Sequence, residues 1–230
     1  LTFAAGGDFV WTKLGTVLSV WGFLLPVFLV VTHRMLPFFT SSAVRGYAPY
    51  RPAWALRLLV GASLVHGALG LLELTAWSWI ADVPAMLAAG RLTWRWRSAA
   101  AMRNRMLAVL HIAFAWLTAA FALSAAQSLL QGSMPGFLGQ APLHAMTLGY
   151  FASMLLGMAA RVTLGHSGQA VVADDAMWRA FWLMQAAAVL RVGGDVSGPA
   201  AGHFMIWLSS ALWLAAFGLW AWRYAPAFWR

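Results

Sequence analysis

Residues 106–160 read MLAVLHIAFAWLTAAFALSAAQSLLQGSMPGFLGQAPLHAMTLGYFASMLLGMAA, 55 consecutive residues without Lys, Arg, Asp or Glu, bounded by Arg105 and Arg161. A helix crosses the hydrocarbon core with roughly 20 apolar residues, so this stretch is too long for one span. Its middle, Gln131-Gly-Ser-Met-Pro-Gly136 followed by Gly139-Gln-Ala-Pro142, is made of turn formers. The interval therefore divides into two spans, near 106–129 and 142–162.

Working outward, Leu14 to Thr32 carry no charge and form a first span. From Leu58 to Gly90 the charges are Glu73 and Asp82, which leaves room for two short spans turning near Leu72–Thr75. A sixth runs from about Trp178 to Val192 and the last from His203 to Trp222. The expectation is an all-α, polytopic transmembrane helix bundle of about seven spans, forming a single domain over residues 1–230.

Composition agrees. The chain is 62% hydrophobic and 9% charged, with a mean hydropathy of +0.74, whereas soluble domains carry about 25% charged residues. This excludes disorder, an ordinary cytosolic enzyme and a nucleic-acid-binding domain. The net charge of +9 then reads as membrane orientation. With no cysteine, disulfides, iron–sulfur clusters and thiolate metal sites are excluded.

The charges also alternate. Arg34, Arg45 and Arg51 fall in the first loop, and Arg91, Arg95, Arg97, Arg103 and Arg105 in the third. Arg161 and Arg179 flank the fifth, and Arg223 and Arg230 follow the last span. The second and fourth loops have neither Lys nor Arg, and the sixth has only Arg191. The positive-inside rule then places the N-terminus outside and the C-terminus in the cytoplasm. The segment Leu1–Phe9 is too short and weakly charged for a signal peptide. An odd number of spans entering from outside suits the C-terminal part of a longer chain.

Ionisable residues inside a bilayer are costly and therefore functional candidates. His33 sits at the cytoplasmic end of the first span and His203 opens the last; both read as interfacial. Ser63, His66, Gly70 and Glu73 share one helical stripe. That stripe would face the bundle, to hold a metal, relay protons or satisfy a contact between helices. His111 and His144 lie in the uncharged interval with no acid nearby in sequence. A buried imidazole there is most cheaply neutral, the form that haem iron or copper coordinates. His144 heads a stripe of Thr147, Phe151, Met154, Met158 and Arg161. Its methionines are soft enough for copper(I), although Met at helical spacing more often packs. With His111 near one face and His144 near the other, roughly 15–20 Å separates them along the membrane normal. His166 stands between glycines in Leu164-Gly165-His166-Ser167-Gly168-Gln169.

Four segments in order resemble the NnrS family of bacterial membrane proteins. Pro142-Leu-His144-Ala145-Met-Thr147-Leu-Gly149, continuing through Gly157-Met158 and Arg161 to Leu164-Gly165-His166-Ser167-Gly168, is similar to the family's H-A-x-T-x-G … M-x-x-R-x-x-L-G-H-T-G-R block. Leu110-His111-Ile-Ala-Phe114-Ala-Trp116 resembles L-H-x-G-Y-x-W. Arg34-Met-Leu-Pro37-Phe38-Phe39-Thr40 matches R-x-x-P-F-F-T, and Phe217 with Tyr224-Ala-Pro226 resembles the closing F…Y-x-P. Ala113, Phe114, Ser167 and Gln169 depart from the pattern. Gln169 removes a cation that would meet a propionate or phosphate.

The resemblance implies a haem- and copper-containing protein of the bacterial inner membrane that acts in nitric oxide stress and denitrification. It implies no particular catalysed reaction. The family has about twelve spans, of which this chain would supply the last seven. His111, His144 and His166 are then the candidate cofactor ligands, and His66, His144 and Met158 the candidate metal ligands. The expected partners are the lipid bilayer and nitric oxide or a related small ligand, with no nucleic acid. The alternatives are a transporter or channel whose polar path is lined by Ser63, His66, Glu73 and Arg161, and a non-catalytic membrane scaffold.

Overall fold

Ala and Leu dominate the apolar stretches, and both favour helix. A segment surrounded by lipid must also satisfy its backbone groups internally, which a helix does. A computed structural model describes residues 7–228, and side chains from 10 to 227. The expectations resting on Leu1–Phe9 and on Arg230 lie outside the described side chains. The described residues are mostly helical, and no strand occurs among them.

The first rod is continuous: α1 (Gly7–Val17), a π-helical segment (Leu18–Leu24) and α2 (Leu25–Ala43). α3 (Ala53–Leu71) and α4 (Trp79–Arg95) form a hairpin turning at Leu72–Leu74, as expected. A single turn, α5 (Ser98–Ala101), leads into α6 (Arg105–Leu130). The next rod comprises α7 (Ala141–His144), a second π-helical segment (Ala145–Ala152) and α8 (Ser153–His166). α9 (Asp175–Val196) and α10 (Pro199–Tyr224) close the bundle. Short connections make consecutive rods antiparallel.

Five of these rods are long and apolar enough to cross a membrane: Val10–Ala43, Ala53–Leu71, Arg105–Leu130, Ala141–His166 and Pro199–Ala227. The expected third and sixth spans correspond to α4, which has 17 residues, and α9, which carries Asp175, Arg179, Arg191 and Asp195. The first span corrects its expected end. Arg34 lies on α2 rather than in a loop, because the helix continues through Pro37 to Ala43. A rod of 34 residues is about 51 Å long. That exceeds the roughly 30 Å core, so the exposed Arg34 can ride on a helix that projects beyond it.

α6 is the axial helix. Of its most apolar stretch 61% is buried, against 11% for the first and last rods. The outer rods instead expose Trp11, Phe23, Val30, Phe204, Trp207 and Trp222, the face expected toward lipid. Small residues let the centre close. A Cβ on Gly149 would collide with the Trp116 ring, and one on Gly157 would lie 2.7 Å from Leu110 and Val109. Buried polar bonds lock this packing. Trp116 Nε1–H donates to Gln185 Oε1 (2.8 Å), and Gln185 Nε2–H to Ser153 Oγ (2.7 Å), tying α6, α9 and α8 together.

Candidate functional site

A polar cavity of about 770 Å³ opens at the end of the bundle opposite the arginine-rich loops. The first rod supplies Trp21, the α3–α4 hairpin His66 and Ser78, the end of α6 Ser124 and Gln127, and the 135–143 turn Gln140. At its rim Lys13 pairs with Glu73. Glu73 sits in the hairpin turn with φ of 60° rather than on α3, so it leaves the expected stripe. Ser63 leaves it too: fully buried, it donates to Trp21 O (2.6 Å). Trp21 lies in the first π segment, whose altered ladder frees a carbonyl for this bond. Arg161 is on α8 toward the opposite end, its guanidinium 3.8 Å from the centre of the Phe39 ring. These residues therefore do not line one path.

His66 does face the cavity. Its Nδ1 is 2.8 Å from Asp82 Oδ1, and its ring stacks on Trp21 with centroids 3.7 Å apart. Asp82 is fully buried, and its Oδ2 has no hydrogen-bond partner. His144 repeats the arrangement on the other side: Nδ1 is 2.6 Å from Asp195 Oδ2 on α9. Asp195 also lies 3.8 Å from Arg191. A carboxylate only accepts, so each Nδ1 carries a proton and donates it. Neither Nε2 has a hydrogen-bond partner among the described residues. Metal-ligating histidines are commonly oriented in this way by a carboxylate. His144 immediately follows Pro142 and Leu143, which line the cavity, and immediately precedes the second π segment.

Sequence reasoning noticed both histidines but missed Asp82 and Asp195 as their partners. A signal was present: a carboxylate within an apolar span needs a counterpart. Separations of 16 and 51 residues hid which one.

His111 differs. It is buried, with Nε2 2.9 Å from Thr40 Oγ1 and Nδ1 2.9 Å from Ser98 Oγ. Both nitrogens are engaged, which leaves none for a metal. Gly149 against Trp116, and Gly157 against Leu110, fix an antiparallel register that levels His144 with about residue 121. Ten residues of helix then separate the two histidines, about 15 Å, too far for one haem to join them.

The remaining candidates are dispersed. His166 is exposed at the end of α8, followed by a turn in which Gly168 has φ of 68°. Met158 packs against the main core and lies about 20 Å along its rod from His144, so the two share no metal. His33 lies level with the loop before α3. It is buried within α2 and donates from Nε2 to Pro52 O (3.1 Å). His203 lies exposed near the start of α10. Among the described residues no three His, Cys, Asp or Glu side chains converge as a metal cage requires.

The segments quoted for the resemblance meet in space. Thr40 of the first bonds His111 of the second, and Phe39 carries Arg161 of the third. Tyr224 and Phe217 of the fourth pack in a cluster with Met106 and Val109 of α6. The family described as NnrS protein matches residues 1–230, the whole chain. The chain belongs to the NnrS family. No curated protein and no solved structure matches it. In this NnrS chain the quoted segments thus belong to two separate places. The first two meet at His111 near the arginine-rich end, while His144 lies about 15 Å further along the bundle.

Proposed function

We propose that this chain is the seven-span portion of a bacterial inner-membrane protein of the nitric oxide response, and that His144 would hold a haem iron. The observation that carries the reading is the His144–Asp195 pair. It orients the imidazole through Nδ1, directly after Pro142 and Leu143, which line the cavity. A haem would need few donors from the protein, so a single oriented imidazole fits it. Copper asks for more protein donors, and the described residues form no such cluster. Haem is therefore the group that suits this chain's donors.

Haem iron, when bound, supplies a coordination position for a diatomic ligand such as nitric oxide. The chain's own residues do the rest. Asp195 holds the Nδ1 proton and raises the basicity of Nε2. Arg191 lies against the same carboxylate. His66, held by Asp82 and Trp21, presents a second Nε2 toward the cavity. The basic loops all lie at one end, which supports a cytoplasmic setting for that end and an outer one for the cavity.

The full-length protein, purified in detergent, tests this. Wild type should show a Soret band and bound iron, with the band shifting on addition of nitric oxide. His144→Gln should lose the band at normal yield, because an amide is a poor donor to iron. His111→Gln should keep it. A full complement of haem in His144→Gln overturns the assignment, as does a colourless wild type.

A further inference from the structure

At the opposite end a second cavity, of about 550 Å³, lies between residues 44–52 and the corner joining α4 to α5. Arg95 and Arg97 line it together with Tyr47, Tyr50 and Trp94. The loop is held in shape at several points. Trp96 is fully buried and its Nε1–H donates to Tyr50 O (2.8 Å). Tyr50 N–H donates to the Tyr47 hydroxyl (3.3 Å), and His33 Nε2–H to Pro52 O. The Arg95 guanidinium carbon lies 4.7 Å from the centre of the Tyr50 ring, and Arg97 has left-handed backbone with φ of 55°. Burial raises the Tyr47 pKa, opposed by its bond to Tyr50 and by the positive charges of Arg95, Arg51 and Arg97.

Among the described residues these cations have no carboxylate partner. The chain has six acidic residues, and the side chain of Asp8 lies outside the described set. The other five are engaged elsewhere: Glu73 with Lys13, Asp82 with His66, Asp174 with Arg223, Asp175 with Arg105, and Asp195 with His144. A pre-shaped pocket holding two unpaired guanidinium groups calls for an anion from outside. Guanidinium forks match phosphate oxygens, and tyrosine hydroxyls can add donors. Its place at the arginine-rich end of a membrane bundle is where basic pockets meet lipid phosphates.

We propose that the pocket formed by Tyr47, Tyr50, Arg95 and Arg97 binds a phosphate group, carried by an anionic phospholipid or free in solution. Full-length protein, delipidated in neutral detergent, is titrated with short-chain phosphatidylglycerol, phosphatidylcholine and inorganic phosphate. Native mass spectrometry reads the lipids and equilibrium dialysis the phosphate. Wild type should bind phosphatidylglycerol more tightly than phosphatidylcholine. The double variant Arg95→Gln, Arg97→Gln should weaken that binding by about tenfold or more, as loss of charge-assisted bonds implies. Arg103→Gln, an exposed arginine that does not line the pocket, should leave it unchanged. If the double variant does not fold, Ala48→Glu keeps both arginines, sets a carboxylate at the pocket wall and should abolish binding. Tight inorganic phosphate binding with the same variant pattern identifies free phosphate as the source. Equal losses in the double variant and Arg103→Gln, or unimpaired binding in Ala48→Glu, overturn the proposal.

Discussion

Asp174 shows how much one side chain can hold. It caps α9 by accepting from Met177 N–H (2.9 Å) and receives Arg223 Nε–H (2.5 Å) from the end of α10. Burial pushes its pKa up, but the Met177 and Arg223 contacts outweigh that and hold it below the usual carboxylate range. A group with a depressed folded pKa adds stability above its unfolded pKa and loses it as pH falls through the folded one. Asn caps a helix about as well as Asp, so Asp174→Asn isolates the Arg223 contribution, whereas Asp174→Ala removes the cap as well. Thermal unfolding in detergent at pH 7 should rank wild type above Asn above Ala, with Ala lower than Asn by about 1 kcal/mol. Well below the carboxylate range, wild type and Asn should converge. An Asn variant that stays less stable there would falsify the charge contribution. The cap was readable in Asp174-Asp175 before a helical run; the Arg223 partner, 49 residues away, was not.

Among elements, the tight α6 contact with the rod of α7 and α8 depends on missing side chains. Gly149 lies against Trp116, and Trp116 cannot swing aside without breaking its bond to Gln185. Gly149→Ala should therefore destabilise the protein by about 1–3 kcal/mol through overpacking. Gly165 on α8 has open space around it, so Gly165→Ala should be neutral or slightly stabilising, since alanine is the better helix former. Equal melting temperatures for the two variants would show that the helices adjust freely. Sequence spacing marked the helices but misjudged their inner registers. The π segments at Leu18–Leu24 and Ala145–Ala152 add a residue per turn and shift the stripes drawn through them. The stripe through Ser63, His66 and Glu73 failed for another reason: the helix ends before Glu73, which pairs with Lys13 outside it.

For the whole molecule, charge and geometry point the same way. The exceptions to the arginine-rich end are Lys13 and Arg191, and each lies against a carboxylate. Arg97 and Met134 flank α6, whose 26 residues rise about 39 Å, so they must lie on opposite faces of a membrane. Reporter tags after Arg97 and at the C-terminus should report the cytoplasm, and a tag at Met134 the outside. A cytoplasmic report at Met134 would reverse the proposed orientation and place the cavity that His66 lines on the inner side.

What residue order determined by itself was the solvent and the helical class. An uncharged interval of 55 residues must cross lipid, lipid demands helices, and turn formers divide the interval where α6 ends and α7 begins. What only the tertiary structure decided was which polar groups meet. Asp82 finds His66 and Asp195 finds His144 because neighbouring rods bring them level, and Thr40 and Ser98 take both nitrogens of His111 for the same reason. Hydropathy is summed along one chain segment and survives without partners. A hydrogen bond a few ångströms long between helices depends on register, which closely packed glycines and π turns set and no local spacing encodes.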